Sequence, residues 1–187
     1  MKTEQQYFEE SKSMADYMEQ MTTNLKEPSF EVYKNFSVNP EDEVFQLLKE
    51  KKPHILAITE DWCGDAMLNN PVIRKIAEEA DLDIRCALRD ADTDLIDRHL
   101  TNGGRAIPIY LFLSQEGEVI GKWGPRAPEL QQMVTEMRAE LPDKEDPQFA
   151  EKQKEMYTSM QKKYVDDPQC AKWVYEDIKA VIAKALS

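Results

Sequence analysis

The residues Thr59-Glu60-Asp61-Trp62-Cys63-Gly64-Asp65-Ala66-Met67 place one cysteine between a strongly apolar run and a helix-forming segment. A cysteine in the first turn of a helix meets unpaired backbone N–H groups and the positive end of the helix dipole. Both favour thiolate, the attacking form of sulfur. Trp-Cys-Gly in that setting suits a redox dithiol, which needs a second thiol three residues on, but Ala66 stands there. Asp61 and Asp65 bracket the sulfur and Glu60 is near, and an anionic neighbour disfavours a second negative charge. Whether those carboxylates point toward the sulfur or into water decides between the two effects. Asp65 also has a plainer role, since acidic residues suit the first turn of a helix.

With one sulfur, Cys63 can attack a disulfide and form a mixed disulfide, which then needs an external thiol for release. Cys86 falls within a strand pattern, where a small buried hydrophobe is the default role. Cys170 lies in a C-terminal helical segment and would approach Cys63 only if that segment folds over the site. His54 and His99 are isolated, so no metal set of recognisable spacing is present. The acidic stretch Arg89-Asp90-Ala91-Asp92-Thr93-Asp94 lacks the glycine and terminal glutamate of a calcium loop and reads as solvated loop or helix cap. Met14, Met18 and Met21 read as core packing.

These residues need a scaffold. Apolar residues at helical spacing over 1–26 predict one amphipathic helix ended by Pro28, and Asn39-Pro40 reads as the capped start of a second helix running to about residue 51. The continuous apolar run 54–59 predicts a strand covered on both faces, followed by a helix over 66–80 with a kink at Pro71. A strand over 82–88, a helical polar segment before Gly103-Gly104, and two antiparallel strands over 107–113 and 118–123 follow. Pro128 opens a helix that ends before Pro142, and 146–187 is helical with a break near 166–168. A βαβ unit followed by a ββα unit gives a central mixed sheet with helices on both faces.

The chain has 187 residues, 41% of them apolar, enough for a domain with a real core. Its formal charge of −12 argues against nucleic acid or an anionic membrane surface as a partner. No apolar run is long enough to span a bilayer, and the N-terminus has no secretory pattern. Three widely spaced cysteines do not form a disulfide framework, so a cytoplasmic protein with reduced thiols is expected.

Trp62-Cys63-Gly64 after the first core strand, Ile107-Pro108 opening the third, and Gly117-Glu118-Val119 in the hairpin turn, in this order, resemble the thioredoxin family over about residues 41–141. The resemblance implies an α/β, thioredoxin-like three-layer sandwich, with helical extensions at 1–40 and 142–187. It implies a cis Pro108 facing the cysteine, and an Ile107 backbone that pairs with an extended thiol-bearing substrate. Two departures stand out: the family's resolving cysteine falls at Ala66, and its buried proton-accepting carboxylate falls at Ala57.

The expected function is single-cysteine thiol–disulfide exchange, with Cys63 catalytic and Trp62, Gly64, Ile107 and Pro108 forming the substrate surface. No resident cofactor or metal is expected. The resolving co-substrate would be a small thiol such as glutathione or bacillithiol, with Arg105 and Arg126 either pairing with its carboxylates or standing as solvated loop residues. Partners would be thiol- or disulfide-bearing proteins or small thiols. Two other readings keep the fold: a non-catalytic module binding a protein through the Trp62–Pro108 groove, and a purely structural role for Cys63.

Overall fold

Where one N-terminal helix is expected, two short helices flank a strand. In this computed structural model, which describes residues 1–187, α1 spans Glu4–Glu10, β1 Lys12–Ser13 and α2 Met14–Glu19. The hydroxyl residues explain the difference. Thr3 forms a capping box with Gln6 on α1, and Ser13 caps α2 by accepting from Asp16 N. The break at Ser11 lets Lys12 and Ser13 pair with Cys86 and Arg85 in the sheet. Pro28 does not end a helix but lies in the first turn of α3 (Lys26–Asn35), where a missing N–H costs nothing. Asn39 caps a turn, accepting from Glu41 N, and α4 (Glu43–Lys51) begins after Asp42 instead.

The remaining elements follow the expected order with shifts of a few residues at their ends: β2 (His54–Thr59), α5 (Gly64–Ala80), β3 (Ile84–Leu88), α6 (Thr93–Asp97), β4 (Ile109–Leu113), β5 (Val119–Trp123), α7 (Pro128–Ala139), α8 (Phe149–Asp166) and α9 (Pro168–Leu186). The sheet order is β1-β3-β2-β4-β5, with β2 and β3 parallel and the other pairs antiparallel. β2 is central and almost wholly buried, as its unbroken apolar run requires.

Helices cover both faces. On one face Met14, Met18, Ala57, Ile73, Cys86, Tyr110, Tyr164, Cys170 and Leu186 belong to one large apolar cluster that joins the N-terminal, central and C-terminal segments. The other face holds a smaller cluster in which Tyr7, Phe8, Leu95 and Ile96 pack on Leu56, Ile58 and Ile109, with Cys63 at its end. Period-2 alternation separates these faces along β2, sending Ala57 one way and Leu56 and Ile58 the other. No helix is long and apolar enough to cross a membrane.

Candidate functional site

The chain leaves β2 at Thr59, makes a tight turn closed by Cys63 N donating to Glu60 O at 3.2 Å, and enters α5. Cys63 is the N-cap of α5, and its Sγ accepts from Ala66 N at 3.4 Å. The thiol itself donates to Ile107 O at 3.6 Å. The Ile107–Pro108 bond is cis, so the two motifs that carry the resemblance meet at the sulfur. Trp62 is 50% exposed beside the turn, with the Arg89 guanidinium over its ring at 4.9 Å. A cleft of about 390 Å³ opens next to Trp62, walled by Thr23, Leu25, Lys154, Tyr157 and Gln161.

A second cis bond, Gly124–Pro125, lies against the first. Gly124 has φ +129°, and a Cβ there would stand 2.2 Å from Pro108 O, so only glycine fits this backbone approach. The next residue but one is Arg126. It is no solvated loop arginine: its Nη2 lies 2.8 Å from Asp65 Oδ2, and the two side chains are only 14% and 9% exposed. Tyr164, from α8, donates to the other oxygen, Asp65 Oδ1, at 2.7 Å. Arg105 pairs instead with Asp97 at the surface.

The three carboxylates near the sulfur therefore differ. Asp61 accepts from Thr22 N, Glu60 accepts from Asp90 N, and Asp65 alone is buried beside Cys63. Burial, followed by the Asp65 charge, pushes the Cys63 thiol up to about 11. The backbone N–H groups of Ala66 and Asp65 and the Arg126 charge pull the other way without prevailing. The N-cap position of the cysteine, which favours thiolate, is thus outweighed in the resting site.

No other group replaces the missing partners. Ala57 lies in register between Cys86 and Tyr110. Burial holds both of those groups protonated, and the Tyr110 hydroxyl donates to Asn70 Oδ1 at 2.6 Å. Cys86 contacts Met14 Sδ, and the Cys170 thiol donates to Lys163 O, so both belong to the opposite face from Cys63. The C-terminal helices do reach the turn, but they bring Tyr164 and Gln161 rather than a thiol; a Cβ on Gly64 would lie 3.0 Å from Gln161 Nε2. His54 stacks on Phe8 and His99 meets Glu4, both as packing residues. Sequence reasoning weighed Arg126 and Asp65 separately and missed Tyr164. A basic residue just before the start of α7 was the one available signal.

The family model described as thioredoxin matches residues 11–138. The chain belongs to the thioredoxin family. Two solved structures share the fold of this thioredoxin-family chain over nearly its whole length. One is a protein of unknown function from Pseudomonas aeruginosa, 15% identical, covering 99% of each chain with a TM-score of 0.68. The other is an HIV epitope scaffold, 17% identical, covering 98% of this chain and 99% of its own with a TM-score of 0.67. The search of curated proteins returned no match. Both structural neighbours include the terminal extensions in the superposed region, so the helical additions are shared architecture.

Proposed function

We propose that this thioredoxin-family chain performs thiol–disulfide exchange with Cys63 as its only nucleophile. The observation that carries the reading is the contact of the Cys63 thiol with the Ile107 carbonyl beside cis Pro108. A disulfide docking along the Ile107 backbone would meet this sulfur, with Trp62 as an exposed flank. In the first step the Cys63 thiolate attacks one sulfur of a disulfide, forming a mixed disulfide and releasing the other half as a thiolate. One external thiol then attacks the Cys63 sulfur of the mixed disulfide and releases the substrate half as a thiolate. A second external thiol attacks the sulfur of the first, forming a small-molecule disulfide and freeing the Cys63 thiolate. Two external electrons reduce one disulfide, and the enzyme returns unchanged. Glutathione and bacillithiol are the classes of small thiol that fit the second step.

A second reading, a partner-binding module, is favoured by the same thiol's burial and its elevated resting pKa, which leave little thiolate at neutral pH. Turnover of glutathione or bacillithiol disulfide by the native protein and by Cys63→Ser separates the two. Loss of turnover on substitution is the result expected for exchange. Absence of turnover in the native protein, with a partner retained equally by native and Cys63→Ser protein, would replace exchange with binding.

A further inference from the structure

We propose that Arg126 and Tyr164 are positioning residues for Cys63, clasping the Asp65 carboxylate so that its charge is engaged away from the sulfur. This rests on the reading of Cys63 as the reacting group.

Geometry supports the clasp. Asp65 is two residues beyond Cys63 in the first turn of α5, and each of its oxygens is taken, one by Arg126 Nη2 at 2.8 Å and one by Tyr164 Oη at 2.7 Å. Neither oxygen meets the thiol, whose partners are Ala66 N and Ile107 O. The three clasp residues come from three elements: α5, the loop after β5, and α8. Their placement is fixed by further contacts. Arg126 Nη1 donates to Gln131 Oε1, Asn69 Nδ2 donates to Pro125 O, and Gly124 lies against the backbone of Pro108. The guanidinium therefore sits beside the Gly124–Pro125 loop, which packs against the Ile107–Pro108 loop that supplies the carbonyl to the sulfur.

The arrangement is a poor choice for stability alone. A buried ion pair is often no better than apolar residues of similar volume. Here Arg126 Nε and Asn69 Oδ1 are also buried without partners, and each such group costs free energy. An expensive polar cluster directly behind the one reactive sulfur points to a chemical task.

The surroundings leave Asp65 and Arg126 as the charges that act on the sulfur. α1 and α6 present Tyr7, Phe8, Leu95 and Ile96, and β2 and β4 present Leu56, Ile58 and Ile109. The Tyr7 hydroxyl donates to Asp92, Tyr110 and Tyr164 are held protonated by burial, Glu60 and Asp61 are engaged by Asp90 N and Thr22, and Arg89 lies over Trp62. Without Arg126, an uncompensated carboxylate two residues from the sulfur would be free to turn toward it. Thiolate would then become harder to form.

The test is the pH dependence of Cys63 alkylation by iodoacetamide, a neutral reagent, in the full-length protein and in Arg126→Gln, Asp65→Asn, the double variant and Tyr164→Phe. Arg126→Gln should move the midpoint upward by about one pH unit, and so slow alkylation about tenfold at a fixed pH below it. Asp65→Asn should move it downward. The upward shift from Arg126→Gln should shrink in the Asp65→Asn background, because no carboxylate remains to be released. Equal shifts in the two backgrounds would mean that the guanidinium acts on the sulfur only through its own charge and not by engaging Asp65, and would overturn the positioning role. So would an unchanged midpoint in folded Arg126→Gln. If Arg126→Gln does not fold, Tyr164→Phe compared in the native and Asp65→Asn backgrounds decides by the same criterion. Alkylation reads thiol reactivity rather than turnover, so these shifts would persist in a protein that never reduces a disulfide.

Discussion

The Tyr164 hydroxyl donates to Asp65 Oδ1 at 2.7 Å, binding the C-terminal half of the chain to the second residue after the cysteine. Both groups are buried and the acceptor is a carboxylate, so the bond belongs to the stronger, charge-assisted class. Tyr164→Phe should lower folding stability by about 1.5–3 kcal/mol. The measurement is the urea midpoint at constant m-value. A loss below about 0.5 kcal/mol would show that Arg126 alone satisfies the carboxylate.

Gly124→Ala should be among the most damaging small substitutions in the chain. Its φ of +129° is strained for any residue with a Cβ, and that Cβ would stand 2.2 Å from Pro108 O. A loss of about 3 kcal/mol or more is expected, with a shift of both proline loops. A thermal unfolding curve that overlays the native one would contradict the backbone contact.

Labelling with a thiol reagent at mildly alkaline pH should modify Cys63 before the other two cysteines. Cys63 is 9% exposed, whereas Cys86 and Cys170 are 4% and 0% exposed within the opposite apolar cluster. Mass spectrometry of a time course should find one adduct on the native protein and three only after unfolding. Early modification of Cys170 would mean that α8 and α9 open more readily than the turn around Cys63.

Stability should fall on the alkaline side. Burial pushes Cys63 and Cys170 each up to about 11 from an ordinary 9.0, and Cys86 moves in the same direction. The unfolded chain sheds these protons near pH 9, while the folded chain keeps them to about pH 11. The folded state therefore binds more protons in that window, so stability present below pH 9 is lost as pH rises through 11. Urea midpoints at pH 8, 9.5 and 11 should decrease in that order. A flat or rising series would place the thiols in a wetter setting than their contacts describe.

The strands of the core were readable because their signals are local. The apolar run at 54–59 and the turn at 115–117 specify a buried strand and a hairpin through their own residues. The N-terminal segment misled for the opposite reason. Its helical spacing is genuine, but Ser11 and Ser13 offer caps, and the pairing of Lys12 with Cys86 depends on a partner over seventy residues away. The site divides in the same manner. Cys63 and Pro108 carry motif spacing that survives in the sequence, whereas the Asp65–Arg126–Tyr164 clasp is assembled from three distant segments. Nothing near Tyr164 in the sequence marks it as different from Tyr157, which lies seven residues before it on the same helix.

The large apolar cluster contains both Met14 and Leu186. A chain made from its N-terminus therefore cannot close this core until α9 has been synthesised, because residues of α9 pack in the same cluster as Met14. Until then, the faces of β5 and α5 that await α9 stay open to water and to other apolar surfaces. Removal of α9 would leave the protein in that same unclosed state.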